Sequence, residues 1–168
     1  MSARISFILG GARSGKSARA LALAGPGPKT FLATAEALDN EMADRIALHK
    51  AERGPNWALI EAPLEIARII ALHREGSLVV DCLTLWLSNL MHHKRDIDAE
   101  TRALSVALAV CGRVILVSNE VGLAIAPENA LARRFRDAQG RLNQKIAAAA
   151  DHVEFIAAGL PLALKGAP

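Results

Sequence analysis

The chain has 168 residues, 52% of them apolar and 22% charged, with a formal net charge of +3. That composition excludes intrinsic disorder, and the length suits one domain over 1–168 with a buried core. Basic residues are dispersed and aromatics scarce (no Tyr, four Phe, two Trp), which argues against a nucleic-acid partner needing a basic stripe or a base-stacking platform.

The first predicted element is a strand over Ile5–Leu9, followed by Gly10-Gly11-Ala12-Arg13-Ser14-Gly15-Lys16-Ser17 and a helical pattern over 16–24. Strand, G-x-x-x-x-G-K-S, helix is the context of a P-loop. Gly10 and Gly15 let successive backbone N–H groups turn inward on a phosphate, and the helix start adds its positive dipole end. Lys16 can reach the β- and γ-phosphates of a nucleoside triphosphate, and the Ser17 hydroxyl can ligate Mg²⁺.

The turn Gly25-Pro26-Gly27-Pro28 separates this unit from a strand over Thr30–Thr34. A helix over 38–53 follows, with acids early and bases late, as the helix dipole favours. Arg45, His49 and Arg53 fall at i, i+4 and i+8 on one face, beside an apolar stripe of Leu38, Met42 and Ile46. This is either an ordinary amphipathic helix with a solvated histidine, or a site where arginines hold a phosphate while neutral His49 attacks it.

After Gly54-Pro55-Asn56 come a strand over Trp57–Glu61, a helix over 63–74 and the turn Glu75-Gly76-Ser77. The run Leu78-Val79-Val80-Asp81 reads as a buried strand ending in an acid. It would place Asp81 at the carboxyl edge of the sheet, where a second carboxylate helps hold Mg²⁺ in P-loop proteins. Glu61 ends its strand in the same way and is a weaker candidate.

A helical stretch after Asp81, a helix over 97–110, a strand over Val114–Ser118, a helix over 129–150 and a strand over Val153–Ala157 complete the alternation. The tail Gly159-Leu160-Pro161-Leu162-Ala163-Leu164-Lys165 suits a final, antiparallel edge strand. Alternating β and α with unalternating apolar strands predicts an α/β fold, a mostly parallel central sheet flanked by helices. Ser118-Asn119-Glu120-Val121-Gly122, with Arg133 through Asp137 and Gly140 through Gln144, forms a third polar cluster, either an acidic-substrate site or helix–helix or subunit contacts. His73, His92, His93 and His152 read as structural, and Cys82 and Cys111 as small buried residues at or near strand ends. No span or leader is evident, so a cytoplasmic location is expected.

Together these segments resemble one family, the bifunctional adenosylcobinamide kinase/adenosylcobinamide-phosphate guanylyltransferases of cobalamin biosynthesis. Its marks here are the P-loop, Ala33-Thr34, Glu41 through Lys50, Asn119-Glu120-Val121-Gly122, and Arg133 through Asp137 with Gly140, Asn143 and Gln144. Phe31-Leu32, Asn40 and Ala124 depart from its usual pattern, none of them in the phosphate loop or at His49.

The resemblance implies a RecA-like P-loop fold and two reactions, phosphorylation of adenosylcobinamide by ATP or GTP, then transfer of GMP from GTP through a guanylyl-histidine at His49. It also implies nucleotide contacts at Gly10, Gly11, Ala12, Arg13, Ser14, Gly15, Lys16, Ser17, Thr34, Ala35, Glu36, Lys50, Ala51, Glu52, Arg53, Glu61 and Asp81. Lys16, His49 and Asp81 would be catalytic, and Ser17 with Asp81 would hold Mg²⁺. A homo-oligomer, a trimer in known members, is expected. A plain P-loop kinase and a RecA-like ATPase or nucleotide-sensing module remain the rival readings.

Overall fold

A computed structural model describes residues 4–36 and 56–167. The elements are β1 (Ile5–Gly10), α1 (Lys16–Leu23), β2 (Lys29–Ala33), β3 (Ala58–Glu61), α2 (Ile66–Leu72), β4 (Ser77–Asp81), α3 (Leu83–His92), α4 (Ile97–Val110), β5 (Arg113–Asn119), α5 (Ala130–Ala149), β6 (His152–Ala157) and β7 (Leu160–Lys165). The strands form one seven-stranded sheet in the order β3-β2-β4-β5-β1-β6-β7. All pairings are parallel except β6 with β7, which is antiparallel. The mostly parallel sheet and the antiparallel final strand agree with the sequence expectation.

The central strands are buried on both faces, which explains why they lack polar alternation. On one face Ile5, Phe7, Leu9, Leu78, Val80, Val114 and Leu116 pack against α2, α3, α4 and α5. On the other, Ile8, Phe31, Val79, Ile115, Val117 and Ile156 pack against Ala20 of α1 and Ala24 just after it. Only the edges depart from this rule, since β3 is largely exposed and β7 is exposed along its whole length.

Helix starts follow side-chain capping where the sequence supplies it. Asp96 accepts from the N–H groups of Asp98 and Ala99 at α4, and Asn129 accepts from that of Ala132 at α5. Helix α2 is shorter than the expected 63–74. Its first turn begins only after Pro63, Leu64 and Glu65, and it stops at Leu72, with His73 extended (ψ 122°). Strand β2 ends at Ala33 rather than Thr34 because Thr34 turns inward to bond the main chain of Cys82.

Candidate nucleotide site

The loop between β1 and α1 is shaped by two glycines. At Gly10 a Cβ would stand 2.5 Å from the Ile156 carbonyl oxygen and 2.7 Å from Ser14 Oγ, so no larger residue fits. Gly15 adopts a left-handed φ of 99° as the N-cap of α1, and a Cβ there would press within 3.3 Å of Gly159 Cα. Gly159 lies in the β6–β7 turn, and its N–H donates to the Ser14 carbonyl at 2.9 Å. The C-terminal hairpin thus buttresses the loop, a support that no local motif announces.

Lys16 is only 7% exposed, and its ammonium donates to the Gly11 carbonyl within the loop. Burial pulls its pKa below the ordinary lysine value, against opposing contributions from Cys82 and Asp81. Ala12 and Arg13 are exposed on the outer turn, and Ser14 is half-buried. Ser17 Oγ donates to Asp81 Oδ2 at 2.6 Å. The fold creates this contact, because β5 lies between β1 and β4 and the two loops meet over its carboxyl end.

Asp81 is itself held in place. The Thr34 N–H donates to the Asp81 carbonyl, and the Thr34 hydroxyl donates to the Cys82 carbonyl and accepts from the Cys82 N–H at 2.7 and 2.8 Å. Asn89 Nδ2 of α3 donates to the Thr34 carbonyl at 2.7 Å. Thr34 is fully buried and works as a latch between the ends of β2 and β4. Ala35 and Glu36 follow it half-buried, with Glu36 3.1 Å from Nε2 of His93.

Glu61 pairs in register with Ala33 but sits on the outermost strand. It is four strands from β1, on the order of 19 Å across the sheet, so the fold does not bring it to the P-loop. His49, Lys50, Ala51, Glu52 and Arg53, and the helix expected over 38–53, lie outside the described residues.

Part of the third polar cluster is a buried network around Ser118 and Asn143, whereas Arg133, Arg134 and Asp137 are exposed. Ser118 Oγ donates to Asn143 Oδ1 at 2.8 Å, Gln139 Nε2 donates to both, and Asn143 Nδ2 donates to the Asn119 carbonyl. From α3, Thr84 Oγ1 accepts from the Asn119 N–H at 2.8 Å. Asn143 therefore joins α5 to β5, while Arg133 reaches back to the carbonyls of Pro127 and Glu128. Gln139 and Thr84 carried no motif signal. Their polarity inside an apolar helix face was the available clue.

A second site the sequence reading missed lies behind the loop. The Arg19 guanidinium donates to both carboxylate oxygens of Glu154 at 2.7 and 2.6 Å, and His152 Nε2 stands 3.3 Å from Glu154 Oε1. His152 is fully buried and Glu154 nearly so. This cluster ties α1 to β6.

Residues 6–164 match the family model described as cobinamide kinase/cobinamide phosphate guanyltransferase. The chain belongs to that family. It is 46% identical to the bifunctional adenosylcobalamin biosynthesis protein CobP of Pseudomonas aeruginosa, over 96% of this chain and 98% of that protein. It is 39% identical to the corresponding CobU of Salmonella typhimurium, over 95% and 98%. As a member of the cobinamide kinase/guanyltransferase family, the chain is an enzyme of cobalamin biosynthesis.

Two solved structures share its fold. One is an ATPase from a type III secretion system (TM-score 0.54, 11% identity, covering 95% of this chain and 56% of that one). The other is the P4 protein of bacteriophage phi6 in complex with ADP (TM-score 0.52, 14% identity, covering 96% and 55%). The chain spans about half the length of each, and the likeness extends to the RecA-like P-loop fold alone. Among the described residues no helix is long and apolar enough to cross a membrane.

Proposed function

We propose that the P-loop edge of the sheet performs the kinase half of the family's chemistry and that His49 performs the guanylyl half, within one catalytic domain over 1–168. The observation that carries this reading is the 2.6 Å bond from Ser17 to Asp81 beside buried Lys16. A hydroxyl and a carboxylate adjoining a phosphate loop are the hard oxygen donors that Mg²⁺ takes. Ser17 and Asp81 would hold the ion, which would supply charge neutralisation at the β- and γ-phosphates.

In the first reaction the aminopropanol hydroxyl of adenosylcobinamide attacks the γ-phosphorus of ATP or GTP. A new O–P bond forms, the bond to the β-phosphate oxygen breaks, and the hydroxyl proton leaves to water. The N–H groups of the loop over 10–17 and the Lys16 ammonium hold the phosphates in line. Phosphoryl transfer needs little beyond such positioning and charge compensation.

In the second reaction neutral His49 attacks the α-phosphorus of GTP. A P–N bond forms and pyrophosphate leaves. The phosphate of adenosylcobinamide phosphate then forms a P–O bond, breaks the P–N bond and releases His49, giving adenosylcobinamide-GDP. Thr34, Ala35, Glu36, Lys50, Ala51, Glu52, Arg53 and Glu61 serve the nucleotide in this step. The chain leaves the carboxyl end of β2, beside Asp81, on its way to His49. We place the protein in the cytoplasm as a homo-oligomer, a trimer by its family resemblance, with a corrinoid site shared between 17.8 kDa subunits.

The test uses GTP labelled at the α-phosphate. Wild type should retain acid-labile, base-stable label after denaturation, and His49→Ala should retain none while keeping kinase activity. A wild type that binds GTP without retaining label would leave a plain kinase.

A further inference from the structure

We propose that the Asn119 carboxamide contacts the transferred phosphoryl group in the kinase reaction, as a catalytic residue of the P-loop site. The inference rests on the reading of that site as the kinase centre.

The register places Asn119. It is the last residue of β5, the strand between β1 and β4, and it pairs with Gly10 at the mouth of the P-loop. Across the other neighbour, Asp81 pairs with Val117, two residues earlier. Asn119 therefore stands about one strand spacing from Gly10 and roughly 8 Å diagonally from Asp81.

Alternation decides the face. Val79 on β4 and Ile115 and Val117 on β5 all pack on the α1 side, so Asp81 and Asn119 belong to that side too. Ser118 turns the opposite way, into the network of Gln139 and Asn143. One face of the strand end is thus committed to holding the backbone, and the other presents an amide toward the P-loop side.

The main chain of Asn119 is clamped from two helices. Its N–H donates to Thr84 Oγ1 of α3 at 2.8 Å, and its carbonyl accepts from Asn143 Nδ2 of α5 at 3.1 Å. The next N–H, of Glu120, donates to the Gly10 carbonyl at 3.1 Å. Among the described residues the Asn119 side chain makes no hydrogen bond of its own. A donor fixed by its backbone and unspent in its side chain is suited to charge that develops elsewhere.

The chemistry follows. As the substrate hydroxyl bonds to the γ-phosphorus and the bond to the β-phosphate oxygen breaks, charge spreads over the equatorial phosphoryl oxygens. Asn119 Nδ2 donates to one of them and neither gains nor loses a proton. Thr84, Ser118, Gln139 and Asn143 are positioning residues behind it.

The experiment compares wild type, Asn119→Ala and the near-isosteric Asn119→Leu, which keeps the volume and removes the donor without adding charge. Kinase kcat on adenosylcobinamide should fall on the order of 10²-fold in both variants. The Kd for the nucleoside diphosphate, which lacks the transferred group, should stay within twofold and Tm within about 2 °C. A kcat within threefold of wild type in Asn119→Leu overturns the proposal. So does a loss of diphosphate affinity equal to the loss of kcat, which would make Asn119 a structural prop of the loop. A wild type that binds diphosphate yet phosphorylates no adenosylcobinamide would overturn the kinase reading itself, and this inference with it.

Discussion

The hydroxyl of Ser17 and the carboxylate of Asp81 meet at 2.6 Å across 64 residues of sequence. Neither element positions the other locally. The parallel sheet sets β4 two strands from β1 with β5 between them, and both side chains lie at the same carboxyl edge.

Removing either partner should therefore damage catalysis more than folding. Asp81→Asn and Ser17→Ala should each lower kinase kcat by roughly 10²- to 10³-fold. Rising Mg²⁺ should recover part of the loss if the pair holds the ion. Steady-state kinetics over a Mg²⁺ series, with Tm measured alongside, checks this.

Gly10→Ala should cost both binding and stability. Its Cβ would meet the Ile156 carbonyl at 2.5 Å, and backbone cannot move as a flexible side-chain tip does. Overpacking of this kind costs about 1–3 kcal/mol, and the displaced loop should bind nucleotide at least tenfold more weakly. Calorimetric titration with a nucleoside diphosphate and a denaturant midpoint would measure the two effects.

The cluster of Arg19, Glu154 and His152 should make stability fall in acid. The Arg19 guanidinium holds the Glu154 carboxyl below its ordinary 4.5, and burial holds His152 below its ordinary 6.5. Both folded-state values lie below the unfolded ones. Each contribution is therefore complete above the unfolded pKa and is lost as pH falls. Tm should be level from pH 8 to 7, decline from about pH 6.5 as His152 is forced to charge, and decline further below about 4.5. His152→Phe should flatten the first part of that decline, whatever its effect on the plateau. Arg19→Met should cost about 2–3 kcal/mol by leaving Glu154 buried without its cation.

Both thiols should be unreactive in the folded protein. Burial, with the nearby Asp81 charge, pushes the Cys82 thiol up to about 12, and burial raises Cys111 as well. Too little thiolate is present at pH 8 for fast attack on an aromatic disulfide reagent. Native protein should release chromophore slowly, and urea-unfolded protein should release two equivalents at once.

Much of the fold was legible because its signals are local. Ile5–Leu9 followed by the phosphate-loop glycines needs no distant partner to be read, and Leu78 through Asp81 ends where an acidic residue interrupts a β-branched run. Helix α2 was read too long, because the period of Ile66, Ile69 and Ile70 persists into a segment that Pro63 and the extended His73 exclude. Gln139 went unread because its place among the apolar positions of α5 shows its burial only once the helix is packed on β5.

By itself, the sequence determined that the chain builds a phosphate-binding loop on a parallel α/β scaffold, and its motif spacing pointed to a family that the comparisons bear out. These features rest on short-range backbone preferences and on hydrophobic periodicity, both written within a few residues. Only the tertiary structure decided that Asp81 reaches Ser17, that Asn119 lies beside Gly10, that Gly159 supports Ser14, and that Arg19 faces Glu154. Strand order and register set those neighbours, and they follow from packing two helical layers on one twisted sheet, a condition on the whole chain that no single segment carries.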